Sequence, residues 1–290
     1  MTSTERLPLP QPTMVQANGV ELCVQTFGHP ASPPILLIGG AACSMDWWEE
    51  EFCERLASGP RFVIRYDFRD TGQSVSYQPG APQYSGSDLV EDAVGVLDAL
   101  RVPGAHIVGM SMGGGIAQEL TLDHAERVAS LTLISSSPGG PDLPPMSDEL
   151  RAWFEEPSPE PDWSDRRAVV AYIVAGLRPF AGTVSFDEGE MLALVGRIVD
   201  RTINIAASMK NHWLLEGGEP LRPRLGEIRA TTLILHGTED PLFPYGHAEA
   251  LAAEIPGARL VALAGVGHEV PPRPVWDQVV AAILDHSAEG

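Results

Sequence analysis

Ser111 stands in the run Gly109-Met110-Ser111-Met112-Gly113, Asp240 in His236-Gly237-Thr238-Glu239-Asp240-Pro241, and His268 in Gly265-Val266-Gly267-His268-Glu269. A serine hydroxyl is a weak nucleophile until a base takes its proton. An imidazole serves best as that base when a carboxylate fixes its tautomer and stabilises its charged form. Serine, acid and histidine in that chain order therefore supply the parts for acyl transfer. Each also has a plainer reading: a glycine-rich helix start with a capping serine, an Asx-Pro turn, one histidine among eight. Their joint occurrence, each just past a strand-like run, favours the chemistry. Glu239 is the alternative acid, and His236 and His247 are the rival bases.

G-x-S-x-G carries meaning only between a strand and a helix. Residues 105–108 are an apolar run and residues 113–122 have helical spacing. Ser111 is expected in a sharp, strained turn, with Gly109 and Gly113 removing side chains that would collide there. The turn sets the hydroxyl at a helix start, where free N–H groups favour developing negative charge. Acyl transfer needs two such donors. The Met112 amide is one; the other is expected from Gly39-Gly40-Ala41-Ala42, with Ala41 favoured and Gly40 next.

The elements that must position these groups follow from the pattern. Asn18-Gly19 between two β-prone runs predicts a hairpin, because both residues accept positive φ. Residues 34–38, 61–66, 105–108, 128–134, 231–235 and 260–263 are continuous apolar runs, as strands buried on both faces require. Helical patterns at 88–100, 113–122, 247–253 and 276–284 alternate with them, Ser87 or Asp88 being placed to cap the first. The alternation implies right-handed crossovers and a mostly parallel sheet flanked by helices. Ser111, Asp240 and His268 then share the C-terminal rim, where open α/β sheets build their sites. Between Ser137 and Arg222 the alternation breaks, and helical patterns at 148–154, 166–177 and 188–209 suggest an insertion.

The chain has 290 residues and a formal net charge of −20. That surface repels phosphate backbones and anionic lipid, against nucleic-acid and membrane partners. Cys23, Cys43 and Cys53 form neither a disulfide framework nor a metal-ligand spacing. Residues 1–12 are polar and proline-rich, unlike a signal peptide, and no apolar run is long enough to span a bilayer. The expected location is the cytoplasm. No metal or organic cofactor is implied.

On these residues the chain resembles an α/β-hydrolase-fold enzyme, over nearly its whole length. Asp67-Phe68-Arg69-Asp70-Thr71-Gly72-Gln73-Ser74 is similar to that family's D-x-R-G-x-G-x-S loop, with Asp70 where glycine is usual, and is read as structural. Gly39-Gly40 stands where many relatives have His-Gly. The variant loop, the Met-Ser-Met elbow and the Gly-Gly loop together resemble the bacterial aclacinomycin methylesterase group, which cleaves methyl esters of aromatic polyketides.

The resemblance implies core segments 1–137 and 223–290 with a helical cap at 138–222 between sheet strands. Cap aromatics would line an apolar pocket for a small-molecule ester, Trp153, Trp163, Tyr172, Phe180 and Trp213 being candidates. Trp47, Trp48 and Phe243 are further ones, although most of these rings are expected to hold helices together. Arg69 or Arg178 would be the cation for an anionic substrate. A serine nucleophile on this fold also serves lactone, thioester, amide and carbon–carbon bonds. Hydrolase-like receptors that keep the triad differ from enzymes in turnover. An aspartate elbow, as in epoxide hydrolases and haloalkane dehalogenases, is excluded by Ser111.

Overall fold

A computed structural model describes residues 11–184, 186–215 and 218–288. Residues 1–10 of the proline-rich start lie outside these. The strands are β1 (Thr13–Ala17), β2 (Val20–Phe27), β3 (Pro34–Ile38), β4 (Phe62–Tyr66), β5 (Ala105–Met110), β6 (Val128–Ile134), β7 (Thr231–Gly237) and β8 (Arg259–Leu263). They form one sheet in the order β1-β2-β4-β3-β5-β6-β7-β8. β1 and β2 pair antiparallel, as do β2 and β4; every other pair is parallel.

The hairpin forms where expected. Ala17 pairs with Val20, leaving Asn18 (φ 47°) and Gly19 (φ 75°) as a two-residue loop with both φ positive. Strand residues alternate between two apolar layers. Leu36 and Ile38 pack on the side of α2 (Gly86–Ala99), α3 (Met112–Asp123) and α8 (Gly246–Glu254). Ile35 and Leu37 pack on the side of α1 (Glu50–Ser58) and α9 (Trp276–His286). Both faces are buried along β3–β7, hence their continuous apolar runs, whereas the edge strand β8, expected to be buried likewise, fully buries only Leu263 because no strand covers its outer side.

Some details differ from the sequence expectation. α1 was not anticipated, although Phe52, Cys53 and Leu56 bury one of its faces. The cap of α2 is Ser85, two residues before the expected cap Ser87, and Asp88 answers it from the third helical position in a capping box. The cysteines are free, and burial pushes the Cys53 thiol up to about 12.

Between β6 and β7 lie α4 (Asp148–Glu155), α5 (Arg166–Leu177), α6 (Glu188–Arg201) and α7 (Ile205–Lys210). Val169, Val170, Ile173, Val174 and Val195 give this stretch its own apolar cluster. The single helix expected over 188–209 is broken after Arg201. The Asn204 side chain accepts the Ala207 amide at 3.1 Å and starts α7 afresh.

Candidate active site

Parallel strands bring the ends of β3, β5, β7 and β8 to one rim. β5 delivers Ser111 with φ 53° and ψ −117°, a strained conformation that costs about 1–3 kcal/mol. The glycines around it are required by contact. A Cβ on Gly109 would run into the Gly113 backbone, and one on Gly113 into the carbonyls of Ile38 and Gly39.

Three side chains meet at this rim. The Ser111 hydroxyl donates to Nε2 of His268 at 2.8 Å, and Nδ1–H of His268 donates to Oδ2 of Asp240 at 2.8 Å. The other Asp240 oxygen accepts the amides of Leu242 (3.0 Å) and Phe243 (2.8 Å). Asp240 is buried, and its carboxylate is held on both oxygens. This relay can move a proton from serine to imidazole with the resulting charge already balanced.

The rival groups are committed elsewhere. The Glu239 carboxylate accepts the Thr183 amide and hydroxyl at 2.8 and 2.9 Å. His247 accepts from Ser137 at 2.7 Å and donates to the Pro144 carbonyl at 2.8 Å. His236 donates Nε2–H to the Phe243 carbonyl at 2.8 Å, and that nitrogen stands 3.4 Å from Asp240 Oδ2. Burial lowers the His236 pKa, so the ring stays neutral. Arg69 is locked to Asp92 through two 2.7 Å contacts, and Arg178 pairs with Glu188; neither is a spare cation.

Gly40 lies against Ser111: a Cβ there would stand 3.5 Å from the serine Cβ. The Ala42 amide is taken by Nδ1 of His212 at 2.9 Å, which leaves the Ala41 and Gly40 amides as the candidates. Met112 opens α3 directly after Ser111.

A cavity of about 620 Å3 opens beside Ser111 and Met112. Its walls include Pro138–Pro141, Pro220, Leu221 and Pro223, the paired Asp142 and Arg222, and Phe243. Phe243 also sets its ring edge-on to His268, 5.2 Å between centroids. The tryptophans proposed from sequence do not form these walls. Trp153 packs between Phe154 and Phe180, Trp47 packs on the cluster of the inserted helices, and Trp213 is 56% exposed. Trp48 is buried in the core against Phe52, and Trp163 meets Tyr172.

Several contacts at this rim had no sequence signal. The Phe180 carbonyl accepts the His268 amide at 2.7 Å, and the Gly265 carbonyl accepts the Val184 amide at 3.0 Å. Gly182 packs so closely on Gly265 and Gly267 that a Cβ would strike their backbone. Arg201 donates to both oxygens of Asp67, which also accepts the amides of Met45 and Gln73. Asp70 adopts φ 67°, and its carboxylate accepts from Tyr84 and Asn211, both at 2.8 Å. Aspartate tolerates this left-handed conformation better than most residues. The 67–74 loop thus joins the sheet to the inserted helices.

The model of the alpha/beta hydrolase fold matches residues 33–271. Rhodomycin D methylesterase DauP of Streptomyces sp. (strain C5) is 33% identical over 293 residues, covering 94% of this chain and 97% of that protein. Rhodomycin D methylesterase DnrP of Streptomyces peucetius is 31% identical with the same coverages. Among solved structures, the esterase EaEST from Exiguobacterium antarcticum superposes with a TM-score of 0.75 at 22% identity, covering 96% of this chain and 100% of that one.

Proposed function

The chain belongs to the α/β-hydrolase fold family, and from that premise we propose that it is a serine-dependent hydrolase of carboxylic esters, with a methyl ester of a polycyclic aromatic polyketide as its substrate. The observation that carries the reading is the continuous relay from Ser111 through His268 to Asp240, 2.8 Å at each step. The likeness to the two methylesterases supports the ester class, and the apolar cavity beside the serine supports a bulky substrate.

In this mechanism Ser111 Oγ attacks the ester carbonyl while His268 Nε2 takes its proton. Asp240 holds Nδ1–H and stabilises the imidazolium. The carbonyl oxygen becomes an oxyanion, held by the Met112 amide and by that of Ala41 or Gly40. Collapse breaks the bond to the leaving oxygen, which His268 protonates, so methanol departs and the acyl group stays on Ser111. Water then attacks, giving its proton to His268. The second collapse returns that proton to Ser111 and releases the carboxylic acid. These steps use side chains, backbone amides and water.

Residues 138–222 act as the cap: the Pro138–Pro141 segment and the Pro220–Pro223 segment enclose the space beside Ser111. The test is a panel of p-nitrophenyl esters of rising acyl length, followed by p-nitrophenol release, alongside polycyclic aromatic methyl esters, followed by methanol release. Multiple turnovers of the bulky methyl esters, with fluorophosphonate labelling at Ser111, are expected. Cleavage of short acyl esters alone, the methyl esters staying inert, overturns the polyketide assignment. Single-turnover binding overturns the enzyme assignment.

A further inference from the structure

His212 is buried in the turn after α7, far from the catalytic residues in sequence, yet both its ring nitrogens contact loops at the serine rim. Nε2 lies 3.0 Å from the Arg69 carbonyl, which can only accept, so Nε2 carries the proton. Nδ1 is then a bare acceptor, and the Ala42 N–H donates to it at 2.9 Å. The ring sits edge-on to Phe68 and Tyr84, and the neighbouring Asn211 side chain is tied to Asp70 and to the Gly80 amide. The imidazole is therefore fixed in place, orientation and tautomer.

Ala42 is the third residue of a four-residue turn, closed by the Cys43 N–H donating to the Gly40 carbonyl at 3.2 Å. Its φ is 61°, in the left-handed region that a β-branch-free residue without a glycine's freedom enters at a cost of about 1–2 kcal/mol. Turns with positive φ at that position differ from the commoner form by a flip of the central peptide, here the one joining Ala41 to Ala42. The flip would aim the Ala41 carbonyl at the bare Nδ1 of His212, setting acceptor against acceptor in a buried place. The present form sets donor against acceptor.

We propose that His212 is a positioning residue for the oxyanion-holding loop: its unprotonated Nδ1 selects the turn form of Gly40–Cys43 that presents the Ala41 or Gly40 amide to the substrate carbonyl at Ser111. The inference rests on the reading that this loop supplies an oxyanion donor. A cap-side residue thereby sets the geometry of transition-state stabilisation without touching substrate.

Two polar variants separate this from a packing role. In His212→Asn the amide oxygen overlays Nδ1 and keeps the acceptor for Ala42. In His212→Gln the amide nitrogen overlays Nε2 and keeps the donor to Arg69, but Ala42 loses its acceptor. Steady-state kinetics on one activated ester are paired with the inhibition constant of a trifluoromethyl ketone, which forms a tetrahedral adduct. His212→Gln is expected to lose about 10- to 100-fold in kcat, with a matching weakening of the ketone and little change in KM. His212→Asn recovers most of that loss. Equal losses in both variants, or a His212→Gln enzyme that binds the ketone as tightly as the parent, overturn the proposal. Mass spectrometry after fluorophosphonate labelling of the parent keeps the two readings apart: absence of a covalent adduct on Ser111 contradicts the serine mechanism itself.

Discussion

Nε2 of His236 stands 3.4 Å from Asp240 Oδ2, the same oxygen that receives the His268 N–H at 2.8 Å. Two imidazoles thus converge on one carboxylate oxygen, and only one of them can reach the serine. His236 is bound to the Phe243 carbonyl, and its Nδ1 has no hydrogen-bond partner among the described residues. A proton on Nδ1 would be buried and unsatisfied, so the neutral form is held and Asp240 keeps its charge for His268.

His236→Leu removes the donor to Phe243 and leaves that carbonyl unsatisfied. A loss of about 1–3 kcal/mol in stability is expected, with about a tenfold fall in kcat/KM as the Asp240 loop relaxes. His236→Gln, which can keep an N–H at the Nε2 position, should retain most of both. Urea denaturation and ester kinetics on the three proteins check this; equal behaviour of the two variants contradicts it.

Arg201→Ala leaves Asp67 buried without its cation. Burial already holds the Asp67 carboxyl above the usual carboxylate range despite Arg201. Removing one partner of a buried pair costs about 3–5 kcal/mol, and the urea midpoint should drop accordingly. Adding Asp67→Asn should restore part of the loss, because the stranded group is then neutral.

Gly182→Ala places a methyl group against the backbone of Gly265 and Gly267, in the loop that carries His268. The loop must shift, and the His268 amide loses its alignment with the Phe180 carbonyl. A displacement near 1 Å costs about 100-fold in turnover, so kcat should fall far more than the melting temperature. A silent substitution would show that the inserted segment does not brace the histidine loop.

How much of this was legible in the sequence follows from how local each feature is. The Asn18-Gly19 hairpin, the parallel strands and the Ser111 elbow are written in neighbouring residues, through φ preferences, apolar runs and glycine spacing. Asp240 and His268 could be found because strand ends place them in register with Ser111. His212 and Arg201 could not: their partners lie 170 and 134 residues away, and nothing nearby marks the docking. The tryptophans of the inserted helices were hard to place for a related reason. An aromatic on a helix face packs on whatever lies opposite, and Trp153 met Phe154 and Phe180 rather than the cavity. The break before α7 was hidden because Thr202, Ile203 and Asn204 interrupt an otherwise helical pattern without a proline or glycine.

Burial lowers the His212 pKa to about 4, and it lowers those of His106 and His236 as well. Ordinary histidine in the unfolded chain titrates near 6.5. As pH falls below that value the unfolded state takes up protons first, so stability present at pH 7 is lost progressively from about 6.5 down to about 4. For His212 alone the loss approaches about 3 kcal/mol. Urea midpoints at pH 7, 5.5 and 4.5 should decline in that order, and His212→Asn should flatten the decline. A profile with no slope between pH 6.5 and 4.5 contradicts the neutral, buried assignment.

The most direct measurement is methyl-ester turnover by Ser111→Ala, with its fold checked by circular dichroism and urea denaturation. The variant should be at least as stable as the parent in fold and should release no methanol above the uncatalysed rate plus a residual contribution from binding and the oxyanion donors, about 10³–10⁴-fold over water. Turnover close to that of the parent protein would mean that the hydroxyl of Ser111 is not the nucleophile.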